Sequence, residues 1–60
     1  MKTLIVRRKD GHDEFIDKPD YRYDFQVEYN GISIWKCSSS TSKVAYYPND
    51  MLYSVKITED

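Results

Sequence analysis

One histidine, one cysteine, a run of serines and two clusters of charge are the residues of this chain that could do chemistry. His12 is flanked by Asp10 and Asp13. A general base needs such a partner within hydrogen-bond reach, in a site that excludes water. Asp10 and Gly11 read as a tight hairpin turn, and a hairpin tip is open to solvent, so no catalytic role is expected of His12. Ser38, Ser39, Ser40 and Ser42 supply hydroxyls, yet no strand–turn–helix elbow or positioned base is legible near them. Asp10, Asp13, Glu14, Asp17 and Asp20 form an acidic group, but its spacing lacks the glycine and bidentate glutamate of a calcium loop. Cys37 falls in a strand pattern, with no helix N-terminus to depress its pKa, and reads as a structural thiol. A single cysteine excludes an internal disulfide, and together with a single histidine it excludes most metal sites. No catalytic residue, metal or cofactor is expected.

Arg7-Arg8-Lys9 raises a different chemistry, because small β-barrels bind single strands with a basic groove and aromatic platforms. Against it, the segment from Asp10 to Asp20 carries five carboxylates and one lysine. The net charge of -1 also gives no global attraction to nucleic acid or to an anionic membrane. Protein is therefore the favoured partner, and single-stranded nucleic acid the alternative.

The elements that must position these residues are strands. Period-two alternation recurs along the chain, and no apolar stripe at helical spacing runs over three turns. The first strand, Lys2 to Lys9, meets Asp10-Gly11, a two-residue hairpin signal. A type I′ turn there sets Lys9 against His12, Arg8 against Asp13, Arg7 against Glu14 and Val6 against Phe15, so two opposite-charge pairs and one apolar pair fall together. Pro19 ends the second strand near Lys18. In the third strand Tyr21, Tyr23, Phe25, Val27 and Tyr29 share one face, and Arg22, Asp24, Gln26 and Glu28 the other. Asn30-Gly31 is the second hairpin signal, setting Tyr29 against Ile32, Val27 against Ile34 and Phe25 against Lys36. Trp35 and Cys37 then oppose Gln26 and Asp24 on the polar side, away from the main core face. Ser38 to Ser42 reads as a flexible connection. A short strand from Val44 to Tyr47, a Pro48-Asn49-Asp50 turn and a last strand from Met51 to Thr58 complete the chain. In that last strand Met51, Tyr53, Val55 and Ile57 are expected to share a face.

The fold class is therefore all-β: four or five antiparallel strands in a small meander or an open SH3-like barrel, one domain over residues 1–60. With 40% hydrophobic and 32% charged residues the chain belongs with folded rather than disordered sequences. A chain this short buries only about 60% of its unfolded surface, and small domains usually add disulfides, a metal or association. Association is the route left open, and homodimerisation is expected. No apolar run is long enough for a membrane span or a signal-peptide core, so the chain reads as cytoplasmic. Trp and Tyr dominate interface energetics, and Trp35, Tyr46, Tyr47 and Tyr53 are the expected partner-binding anchors.

Three segments carry a family resemblance: Asp10-Gly11 after a short basic strand, the hairpin Asn30-Gly31-Ile32-Ser33-Ile34-Trp35, and Tyr46-Tyr47-Pro48-Asn49-Asp50 leading into Tyr53-Ser54-Val55-Lys56-Ile57. In this pattern the chain resembles small β-rich accessory proteins encoded by bacteriophages of Gram-positive hosts. The resemblance implies a non-enzymatic inhibitor, often homodimeric, that binds and occludes a host protein in the host cytoplasm. It carries over no individual site residue. The charge balance lacks the acidity of a DNA mimic.

Overall fold

The computed structural model describes residues 1–59. It has six strands: β1 (Lys2–Arg8), β2 (Gly11–Ile16), β3 (Arg22–Glu28), β4 (Gly31–Cys37), β5 (Thr41–Pro48) and β6 (Leu52–Glu59). They form two three-stranded antiparallel sheets, ordered β2-β1-β6 and β3-β4-β5. The strand count exceeds the expected four or five, and β5 is longer than the expected Val44 to Tyr47 because it begins at Thr41, inside the serine-rich stretch read as a flexible connection. Only Ser38 to Ser40 remains a bend, closed by the Ser38 hydroxyl donating to the Ser40 carbonyl at 2.9 Å. The two sheets are not joined into a barrel: no ladder links β2 to β3 or β5 to β6. Among the described residues there is no helix long and apolar enough to cross a membrane.

Both hairpins have a register two residues away from the one expected. Leu4 faces Phe15 and Arg8 faces Gly11 in the first; Phe25 faces Ile34 and Glu28 faces Gly31 in the second. The loop residues are therefore Lys9-Asp10 and Tyr29-Asn30, with each glycine opening the return strand. A type I′ turn needs positive φ at both central residues, and among the described residues none other than glycine has positive φ. Glycine in the fourth position of the turn is instead the type I preference. Because side chains alternate with period two, a two-residue slide changes every partner and leaves every face unchanged.

The core lies between the sheets. Leu4 and Val6 of β1 and Ile32, Ile34 and Tyr47 of the other sheet are buried, with Phe15, Tyr23, Phe25, Ala45, Leu52 and Val55 packed around them. The aromatic row of β3 enters this core only in part. Tyr23 and Phe25 do, while Val27 is 73% and Tyr29 95% exposed; Ile32, across the ladder from Val27 on the central strand, takes the buried place in that row. Phe15 and Tyr23 join the layers, with ring centroids 5.3 Å apart. At the corner leading into β3, the Tyr23 amide donates to Asp17 at 2.9 Å, which occupies one of the acidic group.

A bulge interrupts each of the last two strands, between the residues opposite Ile34 and Trp35 in β5 and opposite Arg7 and Arg8 in β6. In β6 Arg8 faces Leu52 and Arg7 faces Ser54, so Tyr53 is the extra residue. Leu52 and Val55 turn inward, correcting the expected Met51–Tyr53–Val55–Ile57 face. Tyr53 is left 73% exposed and Ile57 46%.

Candidate functional site

The outward face of the β3-β4-β5 sheet carries the most ordered surface group. Cross-strand pairing places Asp24 beside Trp35 and Trp35 beside Lys43, with Gln26, Ser33 and Tyr46 forming the next row. Ser33 is fully buried although it points away from the core. It accepts a hydrogen bond from the Trp35 indole N–H at 2.9 Å, which satisfies the polar tip of the ring. The Lys43 ammonium lies 5.4 Å from the Trp35 ring centre and 5.8 Å from that of Tyr46, within cation–π range. It also pairs with Glu28 at 3.3 Å. The Ser33 hydroxyl first, and Lys43 second, hold the Glu28 carboxyl below the usual glutamate range. A shallow depression of about 380 Å³ opens beside Trp35, lined also by Asp24, Gln26, Cys37 and Thr41.

Trp35 and Tyr46 thus stand together, as neighbours on one face, with Tyr46 42% exposed. Tyr47 does not join them. The pairing Ile32–Tyr47 puts its ring in the core, 8% exposed, and its place among the expected contact residues is corrected accordingly. Consecutive residues of a strand point to opposite faces, so only one of the Tyr46-Tyr47 pair could be outward. The Tyr47 hydroxyl donates to Asp13 at 2.7 Å, and burial, before that bond, raises its pKa above the ordinary tyrosine value. Tyr53 belongs to the other sheet and lies on a different part of the surface.

The first hairpin is held by charge: the expected Arg8–Asp13 pair forms, though diagonally and not across the ladder, and the expected Arg7–Glu14 pair does not. Arg8 binds Asp10 at 2.8 Å and, from Nε, Asp13 at 3.2 Å, although Asp13 is the cross-strand partner of Val6. This diagonal pair, capped by Tyr47 from β5, clasps the two sheets at one end of the sandwich. Arg7 faces His12 rather than Glu14, and Glu14 lies 3.8 Å from His12. His12 therefore sits on the outward face of β1–β2. Among the described residues no three His, Cys, Asp or Glu side chains gather in a metal-binding group.

Sequence reasoning missed Lys43, Ser33 and Glu28 as the supports of Trp35. Their signal was available only through pairing: a serine two residues before a tryptophan shares its face, but the β5 neighbours depend on a bulge that the sequence does not announce. No protein-family model matches the chain, and no curated protein or solved structure is significantly similar to it.

Proposed function

We propose that this chain is a non-enzymatic protein-interaction module, a phage-type inhibitor that docks on a larger host protein in the host cytoplasm and occludes a site there. The reading treats the two sheets as an SH3-like meander opened between β2 and β3 and between β5 and β6. The observation that carries it is the Trp35 face. Trp35 is half-buried and its indole N–H is bonded to Ser33, so the part of the ring left outward has its orientation already fixed. An anchor ordered before binding loses less side-chain freedom on contact, and such aromatic anchors dominate interface energetics. Tyr46 adds a second aromatic, and Glu28 and Asp24 a polar margin. Trp35 and Tyr46 are the contact residues of this reading; Tyr53 is a separate feature.

The protein acts as a homodimer in this proposal, with the second copy docking on a finished fold. Its accessible surface of 4301 Å² is close to the roughly 4,100 Å² that surface scaling gives for a monomer of this mass. Self-association then adds to the fold and does not complete it.

The test is partner capture with outward-facing variants. Tyr46→Glu and Lys43→Glu, each checked for an unchanged far-ultraviolet circular dichroism spectrum, are expected to lose a host protein that the wild type retains. Retention of that protein by both folded variants contradicts the reading.

A further inference from the structure

The opposite sheet carries a second, chemically different surface. Around the β1–β2 turn, Arg7, Arg8, Lys9, Gly11, His12 and Tyr53 line an open depression of about 380 Å³, within the roughly 300–1,000 Å³ range of small-ligand sites. Its charges are not equivalent. Arg8 is held by Asp10 and Asp13, at 2.8 and 3.2 Å, so the carboxylates of the turn are engaged on one side. Arg7 and Lys9 have no carboxylate within ion-pair distance among the described residues. His12 lies 3.8 Å from Glu14 on the outward face. Gly11 leaves the wall without a side chain, where a Cβ would approach the Arg8 guanidinium to 3.3 Å.

The aromatic member is there because of the β6 bulge. Tyr53 is the extra residue opposite the Arg7–Arg8 step, and bulges re-aim a side chain relative to regular alternation. The result is a 73% exposed phenol ring bordering two unpaired cations. Stacking on an aromatic ring is tolerant of base identity, and cations beside it neutralise the phosphate of the same strand.

We propose that this depression binds unpaired nucleic acid, with Arg7 and Lys9 on a backbone phosphate and the Tyr53 ring stacked on a base. The site is independent of the Trp35 face, which lies on the other sheet. The chain's net charge of -1 supplies no long-range steering, so affinity comes from these local contacts and falls steeply with salt.

Fluorescence anisotropy of a labelled twelve-nucleotide single strand at low salt tests the site. Tyr53→Ala is expected to weaken binding about tenfold and Tyr53→Phe to leave it near wild type, since the ring and not the hydroxyl stacks. Arg7→Gln and Lys9→Gln are each expected to reduce the slope of log affinity against log salt by about 0.7. Inorganic phosphate and a duplex of the same length are the comparison ligands, both expected to bind more weakly than the single strand. No binding of the single strand at low salt overturns the proposal, as does equal affinity of wild type and Tyr53→Ala. Equal or tighter binding of the duplex or of inorganic phosphate alone also overturns it, because neither uses the stacking ring.

Discussion

A methyl group added at Gly31 would overlap the Tyr47 carbonyl oxygen and come within 2.9 Å of the Pro48 Cα. Both neighbours are backbone atoms of β5, which cannot swing aside as a side chain can. Gly31→Ala is therefore expected to destabilise the fold by about 1–3 kcal/mol, the range for overpacking. Asn30→Ala is expected to change stability by less than about 0.5 kcal/mol, because Asn30 does not take the left-handed conformation that a type I′ turn would demand. Chemical denaturation of the two variants checks the turn assignment, and the reverse order of effects would contradict it. Tyr47 gives a second expectation. Its pKa is raised in the folded state, chiefly by burial and then by the bond to Asp13. The stabilisation linked to the protonated phenol is thus fully present below pH 10 and is lost as pH rises from there towards the raised value. Burial likewise raises the Tyr23 phenol, so ultraviolet titration should show both Tyr47 and Tyr23 ionising above the ordinary tyrosine value, with stability declining above pH 10. Tyr47→Phe should remove the Tyr47 part of that late ionisation, leave the Tyr23 part, and cost about 1 kcal/mol. At this level the sequence was informative about type and poor about partner. The Arg8–Asp13 attraction was legible from opposite charges near a turn, whereas the Tyr47–Asp13 bond joins residues 34 apart in sequence and had no local signal.

Strand faces were legible because apolar alternation is written into each segment; strand partners were not. The Asp10-Gly11 and Asn30-Gly31 dipeptides satisfy both a type I′ turn, with glycine third, and a type I turn, with glycine fourth. The choice between them moves the register by two residues and preserves the faces, so hydrophobic pattern cannot discriminate. The bulges in β5 and β6 escaped for another reason. A bulge resets the alternation, so regular period-two reading put Tyr53 on one face with Val55 and left Leu52 on the other, whereas Leu52 packs inward with Val55 and Tyr53 does not. The serine run similarly concealed the start of β5 at Thr41. The separation into two sheets leads to an exchange prediction. β1 and β4 have ladders on both sides, while β2, β3, β5 and β6 have one each. Amide hydrogen exchange should be slowest in β1 and β4 and should alternate between protected and fast along β5 and β6. Uniform protection along β5 and β6 would mean that the barrel is closed.

The whole molecule presents two outer faces of different character: an aromatic face with its polar groups satisfied around Trp35, and a cationic depression with Tyr53. The anticipated need for a partner core is eased by the facing of the two sheets, which buries Leu4, Val6, Ile32, Ile34 and Tyr47 within one chain. Light scattering across a dilution series is expected to give a mass that falls towards the monomer at low concentration while the circular dichroism spectrum is retained. A monomer at every concentration would remove the homodimer from the proposal and leave the Trp35 face to a foreign partner. The outward placement of Trp35 could be read from parity alone, since Ile32 and Ile34 alternate with Ser33 and Trp35. That Tyr46 joins it and Tyr47 does not needed the β4–β5 register.

The most direct test of the central claim is site-specific photo-crosslinking in cells of a Gram-positive host. A photoreactive phenylalanine analogue would replace Tyr46 in one version of the protein and Ile16, on the opposite sheet, in another. Both positions are exposed to a similar degree, so intrinsic reactivity does not separate them. The account predicts one discrete heavier adduct from position 46 that is absent from position 16 and is lost when Lys43→Glu is added. No adduct at position 46, or the same adduct from both positions, would contradict the assignment of the Trp35 face as the contact surface.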